Sequence, residues 1–193
     1  MSVNEAGKKF RTRILEFKRS VRACSYCLVE WEKTVSESDT VILPGDISWG
    51  SSFDEAYADL KFLNDLPGRK IIGKGNHDYW WSTMAKLTRF KEERGLSTID
   101  FLFNNAYAVE DKIICGTRGW VKEFGVKSED ERLIKREAAR LELSLRAGEK
   151  LKEQFPDNEI LVFLHYPPLY GEFLNYDLSL IHISEPTRLL SIS

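Results

Sequence analysis

The chain has 193 residues, 42% of them hydrophobic and 30% charged, with a formal net charge of −2. That length fits one domain with a real core, and the composition excludes a disordered chain or a disulfide scaffold. The near-neutral balance gives no global pull toward nucleic acid or an anionic membrane, and no apolar run reaches transmembrane length.

The chain starts basic, with Lys8, Lys9, Arg11, Arg13, Lys18, Arg19 and Arg22. Phe10, Ile14, Phe17 and Val21 recur at three- and four-residue steps, which predicts a helix over 8–35 with the basic side chains on a solvated face. Cys24 and Cys27 form a lone Cys-x-x-C with no second pair and no His at zinc-finger spacing, so two half-buried helix thiols are expected. Three cysteines and no signal peptide point to a reducing, cytoplasmic setting.

Thr40 to Leu43 is short, apolar and β-branched, a buried strand stopped by Pro44-Gly45. Asp54 to Leu66 is predicted helical, with Ala58, Phe62 and Leu66 on one face and Pro67-Gly68 at its end. Arg69 to Gly73 is a second strand, and helical character returns from Trp81 to Glu93. Residues 99–103, 106–109 and 112–115 are expected as strands, with Cys115 in the core. Ser128 opens the longest helix, with Glu131 placed for a capping box and Ile134, Ala138, Leu141 and Leu145 along one face. Ile160 to Leu164 is a last apolar strand. This order is that of an α/β chain with some antiparallel pairing.

Polar clusters follow three of these strands. Gly45-Asp46 comes after the first, Gly75-Asn76-His77-Asp78 after the second and His165 after the last. Ligands of open α/β sheets sit beyond the carboxyl ends of strands, so the shared placement points to one site. Asp46 offers carboxylate oxygens that can bridge two cations, Asn76 an amide oxygen and His165 an imidazole nitrogen. That mixture suits Mn²⁺, Fe or Zn²⁺ better than an all-oxygen Ca²⁺ site. His77 is an acid–base candidate, and the adjacent Asp78 a carboxylate that can orient it. Each residue alone would be read as a turn or a satisfied core side chain; the ordered set carries the metal reading.

The segments Leu43-Pro44-Gly45-Asp46-Ile47-Ser48-Trp49, Gly75-Asn76-His77-Asp78-Tyr79-Trp80-Trp81, Gly116-Thr117-Arg118-Gly119-Trp120 and His165-Tyr166-Pro167-Pro168 resemble the calcineurin-like metallophosphoesterases, more narrowly a bacterial subgroup with Trp-rich motifs. The resemblance spans residues 28 to 176. It implies a sandwich of two β-sheets flanked by helices and hydrolysis of phosphate esters by a water activated between two divalent metals (Mn, Fe or Zn). It also implies that Asp46 is the bridging carboxylate and that Asn76 and His165 belong to one metal. His77 would contact the substrate phosphate or protonate the leaving group, with Asp78 holding it. The substrate would be a phosphate-ester small molecule or a nucleotide.

Two features depart from the family's pattern. The family's opening Asp-x-His is absent, since the first His is His77, and so is its closing Gly-His-x-His. The reading is therefore of an incomplete sandwich: residues 1–27 as a non-family helical segment, 28–177 as a partial metallophosphoesterase domain, and 178–193 as an artefactual tail. The run from Leu178 to Arg188 resembles the translation of a sequencing adapter, and His182 within it is set aside as a ligand. At most one metal position would be partly retained. Two other readings stand beside this one: a non-catalytic structural remnant that binds no metal, and a nucleic-acid module led by the basic start, for which no known motif is present. The four Trp residues of the motifs are expected either to pack or to line the site.

Overall fold

A computed structural model of the chain describes residues 31–120, 128–166, 169–170, 173–174 and 187–191, with side chains described for 31–120 and 131–166. The expected Cys24 and Cys27 pair and most of the basic helix lie outside these residues, as do Pro167, Pro168 and His182. Helix α1 is described over residues 31–34. The remaining order is β1 (Thr40–Leu43), α2 (Phe53–Asp65), β2 (Arg69–Gly73), α3 (Met84–Glu93), β3 (Ile99–Leu102), β4 (Tyr107–Val109), β5 (Lys112–Thr117), α4 (Ser128–Lys152), β6 (Glu159–Leu164), β7 (Leu169–Tyr170), β8 (Phe173–Leu174) and β9 (Thr187–Ser191).

Strands β1, β2 and β3 form a parallel sheet in that order. The second sheet runs β4-β5-β6-β9, with β4 antiparallel to β5 and the other pairs parallel. Strands β7 and β8 form a separate two-stranded antiparallel pair. The period-2 alternation of each strand explains how the sheets stack. Ile71, Leu102, Ile114, Leu161 and Phe163 point into the space between the sheets. Their neighbours point outward: Ile72, Ile99 and Phe101 meet Leu60, Leu63, Leu87 and Phe90 of α2 and α3. Ile113, Cys115, Ile160 and Val162 meet Leu141 and Leu145 of α4. The result is two stacked sheets with helices on both outer faces, the mixed α/β sandwich that the resemblance implies.

Local chemistry sets the ends of these elements. Ser52 caps α2, its hydroxyl accepting from the Glu55 N–H at 3.3 Å. The C-terminal end of α2 is closed by a buried lysine: Lys70 Nζ donates to the carbonyls of Leu66 and Gly68, and burial pulls its ammonium down to about 8. Helix α3 begins at Met84 rather than Trp81, because Trp80 and Trp81 are pulled into the core beside Phe101. Strand β5 runs two residues past Cys115 because parallel pairing continues through Gly116 with Phe163 and Thr117 with Leu164. The side chain of Ser128 is outside the described residues, and so is its expected cap. Among the described residues, no helix is long and apolar enough to cross a membrane.

Candidate metal centre

The carboxyl ends of β1, β2, β5 and β6 lie along one rim, and the loops that leave them carry the polar clusters. The loops after β1 and β2 approach until their backbones touch. A Cβ on Gly45 would lie 2.2 Å from the Gly75 nitrogen, and one on Gly75 would lie 2.0 Å from Asp46 Oδ1. Only glycine fits both positions. Asp46 itself sits at φ 58°, a left-handed conformation uncommon for a residue with a side chain.

Asp78 holds this arrangement in place. Its Oδ2 accepts from the Asp46 and Gly75 N–H groups at 2.7 and 2.8 Å. Its Oδ1 accepts from Ile47 and Ser48 at 2.9 and 3.3 Å. Four donors fill the acceptor sites of a carboxylate that is 1% exposed. Burial pushes this carboxyl above its ordinary range, against the pull of the Gly75, Ser48 and Asp46 donors. The expectation that Asp78 orients the His77 ring is therefore corrected: its oxygens are committed to backbone, and it positions the Asp46 loop instead.

Asp46, Asn76 and His165 come together. Asp46 Oδ1 accepts from the His77 backbone N–H at 2.9 Å, tying the two loops across the rim. His165 Nε2 donates to Asn76 Oδ1 at 2.7 Å and lies 3.7 Å from Asp46 Oδ1. Ligands bound to one cation at about 2.1 Å lie about 3 Å apart when adjacent, a separation that falls between the two His165 distances. Burial holds the His165 imidazole below its ordinary range, with the charges of Arg118 and His77 adding and that of Asp46 opposing. A neutral imidazole is the form that binds metals. A carboxylate, an amide oxygen and an imidazole are donor types that suit a divalent cation, and with the His165 proton on Nδ1 instead of Nε2 the nitrogen facing Asn76 and Asp46 would be free to bind one. Among the described residues, no group of three or more His, Cys, Asp or Glu side chains converges, because one of these three donors is an amide.

His77 stands beside these donors with its ring stacked on Trp49, centroids 4.0 Å apart, and its Nδ1 3.0 Å from the Tyr79 hydroxyl. Trp49 is 42% exposed and Tyr79 59% exposed, so this aromatic pair borders the site on its open side. The motif tryptophans divide. Trp80 and Trp81 pack in the core, Trp49 covers His77, and Trp120 lies under the Arg118 guanidinium, 4.7 Å from its carbon.

Sequence reasoning gave no role to Lys74, Arg118 or Glu137. Glu137 of α4 is 1% exposed and accepts from Arg140 at 2.7 Å, Thr117 Oγ1 at 3.0 Å and Arg118 at 3.3 Å. A signal for it existed. Glu137 falls three residues after Ile134 and four before Leu141, a carboxylate in the helix's apolar stripe.

The family model for the calcineurin-like phosphoesterase matches residues 21–186. The chain belongs to the calcineurin-like phosphoesterase family. The match runs beyond the expected limits of the domain at both ends, 28 and 177. Within it, Asp46, Asn76, His77 and His165 are the motif residues brought to one rim. The Gene 66 protein of Mycobacterium phage L5 is 46% identical over 48 residues, which is 25% of this chain and 23% of that protein. A protein of unknown function from Aquifex aeolicus is 17% identical, the overlap covering 74% of this chain and 64% of that one at a TM-score of 0.34. The chain spans less than two thirds of the length of either relative.

Proposed function

We propose that this rim performs metal-dependent hydrolysis of phosphate esters, with Asp46, Asn76 and His165 holding a divalent cation of the Mn²⁺, Fe or Zn²⁺ class. The observation that carries the reading is the convergence of three donors from three separate loops, with His165 Nε2 2.7 Å from Asn76 Oδ1 and 3.7 Å from Asp46 Oδ1. A divalent cation there would lower the pKa of a water and neutralise charge on the phosphate oxygens. Asp46 presents its carboxylate to the cation position while its loop is fixed by Asp78. His77, held by Trp49 and Tyr79, keeps Nε2 without a partner among the described residues. That nitrogen can hold a proton for the departing alcohol oxygen. Asp78 acts through position rather than proton transfer. Among the described residues only Asp46 is placed to serve a second cation, so slow turnover is expected from this chain.

The test is thermal unfolding with and without excess Mn²⁺, comparing the chain with its Asp46→Asn variant. At about a hundred times its dissociation constant a ligand adds roughly 2.7 kcal/mol. For a chain of this size that raises Tm by about 5–10 °C. The shift is expected in the parent chain and not in the variant. Equal melting in both, with and without Mn²⁺, would return the chain to the reading of a structural remnant that binds no metal.

A further inference from the structure

Trp31, Trp80, Trp81, Phe90 and Phe101 lie in the core, where large aromatic side chains stabilise a fold most. Trp49 and Tyr79 do not. Among the described residues they are two of four large hydrophobic side chains left exposed, and the other two, Leu143 and Phe155, stand apart on α4 and just past its end. Single apolar residues scattered over a surface are ordinary; a cluster beside a polar site is not. Trp49 and Tyr79 are clustered on His77. Trp49 meets the imidazole face to face, centroids 4.0 Å apart and planes 16° from parallel. Tyr79 meets it edge-on at 5.8 Å, with its hydroxyl 3.0 Å from Nδ1. His77 in turn donates its backbone N–H to Asp46 Oδ1 at 2.9 Å, so the aromatic pair adjoins the candidate metal position.

The exposure of Trp49 is imposed by anchored backbone on both sides. The Ser48 N–H donates to Asp78 Oδ1, its carbonyl accepts from Trp80 Nε1, and its hydroxyl donates to the buried Asp59 of α2 at 2.5 Å. On the other side, the Gly50 N–H donates to the same Ser48 hydroxyl at 3.3 Å. The indole therefore stands at the surface on a fixed loop, one face on the imidazole and the rest open to solvent. A ring fixed before its ligand arrives costs little further ordering on binding. His77 Nε2 is the nitrogen that can reach the departing oxygen, so the group attached to that oxygen lies against the side chains that wall His77. An indole and a phenol offer flat apolar faces, on which any planar ring can stack. A sugar or glycerol group would meet the same surface without stacking.

We propose that Trp49 and Tyr79 form a leaving-group platform, and that the phosphate esters this rim takes carry a flat aromatic ring, an aryl group or a nucleobase, on the leaving side. This deepens the phosphoesterase reading and rests on it for the term leaving group. The platform as a site for planar rings stands without metal.

The experiment is saturation-transfer NMR in EDTA, with the chain titrated separately with phenyl phosphate, adenosine 5′-monophosphate and ribose 5-phosphate. The parent chain is compared with Trp49→Leu, which keeps apolar bulk without a flat ring, and Trp49→Phe, which keeps a ring. Because Trp49 is exposed, both variants should melt like the parent. Saturation is expected on the ring protons of an aromatic ester, which should bind more tightly than ribose 5-phosphate. Trp49→Leu should weaken that binding by about tenfold, the usual loss when a stacking aromatic is removed. Trp49→Phe should restore most of it, and ribose 5-phosphate should not distinguish the three proteins. Whichever aromatic ester binds more tightly names the source of the ring. Aromatic esters binding no more tightly than ribose 5-phosphate, or binding equally to the parent and Trp49→Leu, would overturn the proposal. Because EDTA is present, that failure is separate from failure of the Mn²⁺ shift, which would sink the metal reading alone.

Discussion

Asp78→Asn is the most informative single change. The carboxylate accepts four backbone N–H groups, two on each oxygen, and is closed to water. An amide keeps one oxygen and places an NH₂ group against the other two donors. Each buried N–H left without an acceptor costs about 1–3 kcal/mol, so the variant should lose about 2–6 kcal/mol. That is a large share of a whole-domain stability of about 5–15 kcal/mol. Urea unfolding followed by tryptophan fluorescence reads it well, because Trp80 Nε1 donates to the Ser48 carbonyl in the same loop at 3.1 Å. With a slope of about 3 kcal/mol per molar urea, the midpoint should fall by about 0.7–2 M. The loop also carries Asp46 at φ 58°, so Mn²⁺ affinity should fall about 10–100-fold, as for other residues that support metal ligands. A midpoint within about 0.2 M of the parent chain would refute the claim that Asp78 pins the loop.

Gly75→Ala would place a methyl group 2.0 Å from Asp46 Oδ1 and 2.3 Å from its nitrogen. It should cost about 3 kcal/mol or more and abolish the Mn²⁺ shift; a variant that melts like the parent and keeps the shift would contradict the close approach of the two loops. Asp100 supplies a test against pH. It accepts from Lys91 Nζ at 2.5 Å and Arg69 Nε at 2.8 Å, and although burial pushes its carboxyl up, these two cations hold it below its ordinary 3.8. Its contribution is therefore fully present above the unfolded value and lost as pH falls through the lower folded value. Asp100→Asn should cost about 1 kcal/mol at neutral pH, the pair being partly exposed, and flatten the loss of stability below about pH 4. Unchanged acid unfolding in the variant would count against that assignment.

The sequence alone determined the elements and the residues at their ends. The β-branched runs at Val41–Leu43 and Ile160–Leu164 and the apolar stripe of Ile134, Ala138 and Leu141 follow directly from side-chain periodicity. Asp46, Asn76 and His165 stood out because each follows a strand, where backbone direction alone places polar groups outside the sheet. What those groups meet was decided by tertiary structure. Asp78 looked like the partner of His77 because it is adjacent in the chain, yet a loop turn sends its carboxylate to N–H groups about thirty residues away. Glu137 and Arg118 meet only because the end of β5 packs against the middle of α4. Pairing between distant strands leaves no local periodicity, so no spacing rule could reveal that cluster. The tryptophans show the same limit. Trp80 and Trp81 sit in one motif with His77, and the stacking of sheet on helix sent both into the core while leaving Trp49, from another loop, to cover the imidazole.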